Sequence, residues 1–164
     1  MKLQRLAVMT GVMRHGMTVR DFFEEAVRSN VPGLPYIDEN DRIVGRVSVR
    51  DVFKHIAVPN SYLRLADAIG DQTNRLDMSE QKILDSLALP VEDYLLENIP
   101  SVSPASSLIK ALAIMEAYNT HYIFLIEDGK YMGIVTRMVI ANRLLDWLAE
   151  VDRGESLPGN RQHL

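Results

Sequence analysis

The segment Val44-Gly45-Arg46-Val47-Ser48-Val49-Arg50-Asp51 returns near the end of the chain as Met132-Gly133-Ile134-Val135-Thr136-Arg137-Met138-Val139. Such a chain is constrained to fold as two copies of one small unit. With the two glycines aligned, the match runs upstream. Leu34-Pro35-Tyr36-Ile37-Asp38 lies over Ile123-Phe124-Leu125-Ile126-Glu127, and Thr18-Val19-Arg20-Asp21-Phe22-Phe23 over Ser107-Leu108-Ile109-Lys110-Ala111-Leu112. One residue is lost between them, at the Asn40-Asp41 turn. Copies that share an order of elements but not a surface are expected to pack face to face as a pseudo-twofold pair. A cleft between them is then a ready binding site.

Periodicity changes in the same order within each copy. Val19, Phe22, Phe23, Ala26 and Val27 recur at helical spacing, with Thr18 and Asp21 placed as an N-terminal capping pair. Leu34 to Ile37 reads as a strand, Asp38-Glu39-Asn40-Asp41 as a polar turn and Ile43 to Val47 as a second, antiparallel strand. Ser48 then opens a helix with Val49, Val52, Phe53 and Ile56 on one face. The second copy repeats this with a helix from Ser107, strands at Tyr122–Ile126 and Tyr131–Val135 around an Asp128-Gly129 turn, and a helix to about Val151. Val12-Met13 and Ser101-Val102 are candidates for a third strand ahead of each first helix. The expected class is α/β (α+β), two β-α-β-β-α units spanning 8–58 and 91–151.

Between them, 59–90 is bounded by prolines and too apolar for a disordered linker. Leu63, Ala66 and Ile69, then Ile83, Leu84 and Leu87, with Asp77 and Glu80 as a capping pair, predict a helical hairpin packed on the pair. Turn formers without periodicity predict a flexible tail at 152–164.

A net charge of −4 without a basic cluster argues against a nucleic-acid partner. The absence of cysteine excludes disulfides, thiol catalysis and thiolate metal sites, and fits a reducing compartment. The apolar run at the start is too short for a secretory signal and no stretch is long enough to span a bilayer, so a cytoplasmic protein is expected. His15, His55, His121 and His163 form no metal-ligand spacing. No Gly-rich phosphate loop, Ser/His/Asp array or dinucleotide fingerprint is present, so no enzyme and no required cofactor are expected.

The chemistry gathers where the second strand of the first copy meets its second helix. Gly45 lets a ligand approach the backbone, while Ser48 offers a hydroxyl beside helix-start N–H groups that suit a phosphate. Arg50 adds a charge for phosphate, and Asp51 is an acceptor pair for two neighbouring ribose hydroxyls. An ordinary helix cap, Ser48 with Asp51 three residues on, accounts for the same spacing. Recurrence as Gly133 and Thr136 behind the same strand pair favours the ligand.

On these residues the unit resembles the cystathionine-β-synthase (CBS) domain, and the duplicate resembles a stand-alone tandem pair, the Bateman module. The resemblance implies a regulatory module that binds an adenosyl compound (AMP, ADP, ATP or S-adenosylmethionine) in clefts between the units, and that pairs into a homodimer. By position it implies one site from Gly45, Val47, Ser48, Arg50 and Asp51, with Leu95, Asn98, Ile99, Pro100, Thr120, His121 and Tyr122 around base and sugar. A weaker second site would use Gly133, Val135 and Thr136, with parts of Leu6–Val12 and Val31–Leu34 as its wall. There Val139 stands where the ribose-binding Asp is expected. The homodimer is also expected from apolar helix faces, Val49, Val52, Phe53 and Ile56 in one copy and Ile140, Leu144, Leu145 and Leu148 in the other. A nucleotide sensor and a ligand-free association scaffold both fit, and the regulated partner is not readable.

Overall fold

The computed structural model describes residues 2–58, 64–68 and 80–154. Its helices are α1 (Val19–Ser29), α2 (Val49–Ala57), α3 (Glu80–Ser86), α4 (Leu108–Ala117) and α5 (Arg137–Asp152); its strands are β1 (Gly33–Ile37), β2 (Ile43–Ser48), β3 (Ser101–Val102), β4 (Tyr122–Glu127) and β5 (Lys130–Thr136). Two compact units emerge. The first-copy unit comprises Gly11–Asn40 and Val44–Asn98, and the second-copy unit Met1–Thr10, Asp41–Ile43 and Ile99–Leu164.

In the first-copy unit β1 pairs with β2. The candidate third strand is present as a parallel bridge from Met13 to Tyr36, and an antiparallel bridge joins Arg46 of β2 to Leu96. α1 forms because Thr18 and Asp21 close a full capping box and Asn30, in the left-handed region, ends the helix. Its face buries Val19, Phe22 and Ala26 with Leu34, Val47 and Val52. Phe23 extends that packing by stacking on Phe53, ring centroids 5.3 Å apart.

The second-copy unit repeats the plan. β3 runs parallel to β4, β4 antiparallel to β5, and Val8 adds an antiparallel bridge to Ile134 of β5. Asp128 (φ 53°) and Gly129 (φ 78°) make the tight β4–β5 turn, both in the left-handed region that two-residue hairpins require. The core holds Leu3, Leu6, Ala111, Met115, Ile123, Leu125, Val135 and Ile140. Leu3 and Leu6, from a short 3-10 turn that sequence reasoning left unassigned, are thus structural. Each sheet is extended by the segment that leads into the other copy, Leu96 in one case and Val8 in the other.

Three sequence expectations are corrected. Of the predicted hairpin at 59–90, the described residues show a 3-10 turn at Ala66–Ala68 and the helix α3; Leu63, Ile69 and Asp77 lie outside the described residues. Ile83 and Leu84 are exposed and it is Ser86 that is buried, its hydroxyl satisfied by the Ile83 carbonyl at 2.6 Å. What fixes this segment is backbone pairing after the helix. The Val19 and Arg20 N–H groups, orphans of the first turn of α1, donate to the Leu89 and Leu87 carbonyls at 3.0 Å. In the proposed dimer faces, Val52 and Ile140 are buried within their own units, whereas Phe53, Leu144, Leu145 and Leu148 are exposed. The space beside Gly45 and Gly133 is filled by the chain's own backbone and side chains rather than left for a ligand. No described helix is long and apolar enough to cross a membrane.

Candidate functional site

β2 ends at Ser48, whose extended backbone makes it the N-cap of α2. Its hydroxyl accepts the Asp51 N–H at 3.5 Å, and the Val49 N–H donates to the Pro32 carbonyl at 3.0 Å. Two of the helix-start donors expected to face a phosphate are therefore already engaged. Asp51 is different. At α1 the equivalent carboxylate, Asp21, returns the cap by accepting the Thr18 N–H at 2.8 Å and the Thr18 hydroxyl at 3.0 Å. At α2 no such return is made, and the Asp51 carboxylate takes no hydrogen bond among the described residues. Capping accounts for Ser48 and leaves the Asp51 carboxylate available.

The role read for Gly45 changes. A Cβ there would lie 3.2 Å from both Leu95 Cδ2 and the Leu96 carbonyl oxygen, so the glycine admits the chain's own crossing segment rather than a ligand. Gly133 does the same. Its φ is +127°, and a Cβ would meet Ala7 Cβ at 3.0 Å and the Val8 carbonyl at 3.2 Å. It also follows the register shift in the β4–β5 ladder, where Leu125 pairs with Gly133 and Ile126 with Tyr131.

Also in the first-copy unit, Val47 is fully buried, Arg50 is exposed, Leu95 is half-buried against Gly45 and Asn98 is exposed. Arg46, which sequence reasoning passed over, organises this stretch. It is buried, its Nε donates to the Asn98 carbonyl at 2.7 Å and its Nη2 to Asn98 Oδ1 at 3.2 Å, while its backbone exchanges two 2.9 Å hydrogen bonds with Leu96. Glu92 is the second residue missed. Its Oε1 meets the Tyr36 hydroxyl at 3.0 Å, the Gly16 N–H at 3.1 Å and His15 Nδ1 at 2.9 Å. Burial alone raises the Glu92 pKa, but hydrogen bonds from its own backbone N–H, Tyr36, Gly16 and His15 outweigh it and hold the carboxyl below its usual range. Burial, then Glu92, raises the Tyr36 phenol. Glu92 so anchors the Val91–Tyr94 turn from which Leu95–Asn98 emerges. The cue available in sequence was a charged residue in an otherwise apolar strand, Arg46 amid Val44, Gly45 and Val47.

The remaining candidates belong to the second-copy unit. Ile99 is half-buried, and buried Pro100 accepts the Phe124 N–H through its carbonyl at 2.9 Å. Thr120 is buried, His121 is exposed with its carbonyl accepting the Arg137 N–H at 2.9 Å, and Tyr122 is buried opposite Thr136. Val135 is fully buried and Thr136 caps α5 by accepting the Val139 N–H at 3.2 Å. Val139 packs on the core of its own unit. Of the proposed wall of the weaker site, Leu6 is in that same core, while Val31 and Leu34 are buried in the first-copy unit.

Against known proteins, the family model of the CBS domain matches residues 12–58 and 91–146. The chain belongs to the CBS-domain family. An uncharacterized 17.7 kDa protein of Acidianus ambivalens is 25% identical over 136 residues, which is 82% of this chain and 67% of that one. Among solved structures, a CBS domain-containing protein from Kribbella flavida superposes with a TM-score of 0.63 at 18% identity, covering 88% of this chain and 99% of its own. The structure of CBSX2 in complex with AMP gives 0.61 at 22%, covering 88% and 97%. Both likenesses bear on the fold: a tandem CBS protein of the α+β class.

Proposed function

We propose that this CBS pair is a regulatory, non-catalytic module that senses an adenosyl compound and relays its binding as a change of shape to a protein partner. The observation that carries the reading is the Asp51 carboxylate, which its own helix leaves unused although the matching carboxylate on α1 is consumed by its cap. A carboxylate at that place is suited to hold a ribose diol. Support comes also from CBSX2, a structural relative in complex with AMP. The proposed ligand is AMP, ADP, ATP or S-adenosylmethionine, contacted by Ser48, Arg50 and Asp51. Thr136 offers a poorer arm, because Val139 has no acceptor for a diol. The lack of cysteine fits action in the cytoplasm.

A ligand acts here only through unequal affinity for two shapes. A thermal-shift series with AMP, ADP, ATP and S-adenosylmethionine tests the reading. At a hundredfold excess over its dissociation constant, a ligand of the native state adds about 2.7 kcal/mol of stability. No shift with any of the four sinks the sensor.

The second reading, an association scaffold, is favoured by the apolar surface of α5, where Leu144, Leu145, Leu148 and Val151 are exposed. We propose that it pairs two copies of the chain whether or not a nucleotide binds. Light scattering at micromolar concentration is expected to give the dimer mass; a monomer mass removes the homodimer.

A further inference from the structure

α5 is longer than the core it serves. Ile140 is buried in the core of its unit, but the stripe it begins continues as Leu144, Trp147 and Val151, at the alternating four- and three-residue spacing of a helix seam. Leu144 is 49% exposed and Val151 45%. Trp147 sits between them under a strap. The Arg143 guanidinium lies 5.4 Å from its ring centroid, and Arg143 Nη1 meets Glu150 Oε1 at 3.1 Å and Asp146 Oδ2 at 3.7 Å. The indole Nε1 is buried and has no acceptor among the described residues. A buried donor left unpaired costs stability, so this face is incomplete in a single chain.

The charges on the face say what completes it. Arg143 and Glu150 each stand one residue before a seam position, Leu144 and Val151, and so flank the seam on the same side. With a second α5 running parallel, Arg143 would face Leu148 of the other molecule and find no carboxylate. With the second α5 antiparallel about a twofold axis, Arg143 faces Glu150 at both ends, and Leu144 meets Trp147 in the seam between. Resting on the association reading above, we infer that two molecules of this chain pair through α5 in antiparallel register, each Arg143 exchanging its own Glu150 for that of the other. The strap over Trp147 is then the contact that the second molecule replaces, and its opening frees the indole N–H to meet an acceptor.

The test is the dimer dissociation constant, by sedimentation, of wild type, Arg143→Glu, Glu150→Arg and an equimolar mixture of the two variants. Each variant alone sets like charges together at both ends of the seam and is expected to raise the constant about tenfold over wild type. The mixture sets opposite charges together at both ends and is expected to regain the wild-type value. Both chains in the mixture keep their own strap disrupted, so the recovery reports on the contact between molecules and not on the helix. Should either variant fail to fold, Arg143→Gln decides the matter: salt is expected to weaken the wild-type dimer and to leave that of Arg143→Gln almost unmoved. A wild-type dimer with no gain on mixing, or a salt dependence intact in Arg143→Gln, overturns the antiparallel register while leaving the association reading standing. A wild-type monomer overturns both.

Discussion

At Glu25 against Ile114, Arg46 against Ile134 and Asp51 against Val139, the first copy carries a charge where the second carries an aliphatic side chain. In the first-copy unit Glu25 accepts the Gly11 N–H at 2.6 Å and pairs with Arg28, Arg46 holds Asn98, and the Asp51 carboxylate takes no hydrogen bond among the described residues. In the second, Ile134 is fully buried while Ile114 and Val139 pack on the apolar core. Duplication thus left one fold with two divisions of labour. At these positions the first copy uses polar groups to hold neighbouring segments and leaves one carboxylate for the proposed ligand, and the second copy uses the same positions for packing.

The glycines are what the two copies share, and they break the comparison most severely. Gly133→Ala combines a strained φ of +127° with a Cβ 3.0 Å from Ala7 Cβ. Together these are expected to cost about 2–4 kcal/mol of stability. Gly45→Ala meets Leu95 Cδ2 and the Leu96 carbonyl at 3.2 Å with no φ penalty, so its cost is expected to be smaller, about 1–2 kcal/mol. Urea midpoints of the two variants check the order. Equal midpoints would mean that the crossing segments yield freely and that the glycines are not there for packing.

Much of this fold was legible before the structure because its signals are local. Thr18 with Asp21, Ser48, Ser107 and Thr136 each announce a helix within three residues, and each side chain does accept the expected N–H. The Asp128-Gly129 turn was equally plain. What escaped depends on partners far along the chain. Arg46 finds Asn98 and Glu92 finds Tyr36 more than fifty residues away, and neither residue carries a local mark of its partner. The glycines misled for the same reason: an absent side chain signals close approach, yet cannot say whether a ligand or Leu96 makes it. In the insertion, the spacing of Ile83, Leu84 and Leu87 imitates a buried face, but α3 stops at Ser86 and its position is set by backbone hydrogen bonds, which no side-chain pattern encodes.

A sharper contrast follows at the two arms, where one substitution should move affinity and the other stability. Asp51→Ala removes a charged acceptor for the ribose, with an expected loss of binding on the order of 1.5–3 kcal/mol and little change in folding, because the carboxylate closes no cap. Val139→Ala should leave that affinity unchanged and lower stability by about 1–2 kcal/mol through lost apolar burial. Asp21→Ala supplies the control, since its carboxylate completes a capping box and its loss should cost about 1 kcal/mol of stability alone. Calorimetry with AMP beside denaturation curves separates the three. If wild type and Asp51→Ala bind AMP equally well, Ser48 and Asp51 are a helix cap and nothing more.

The smallest expected effect is an acid sensitivity confined to the first copy. Hydrogen bonding to Arg28 acts first, followed by Ser29 and the Gly11 N–H, and together they overcome burial and lower the Glu25 pKa from 4.5 to about 2. A carboxyl depressed in the folded state binds its proton more readily when unfolded, so the stability it contributes is complete above pH 4.5 and is lost as pH falls toward 2. Arg28 is well exposed and water screens its share, which discounts the contribution to about 1–2 kcal/mol. Glu92, lowered in the same direction, adds to the slope in the same unit. In Glu25→Gln the loss of stability between pH 5 and pH 2 is expected to flatten, whereas at the matching position Ile114→Val should shift the curve without changing its shape. Hydrogen exchange followed across that range should show amides of α1 opening before those of α4. Opening of α4 first, or an acid slope unaltered by Glu25→Gln, would place the acid-labile contacts outside the first copy and undo the contrast drawn between the two.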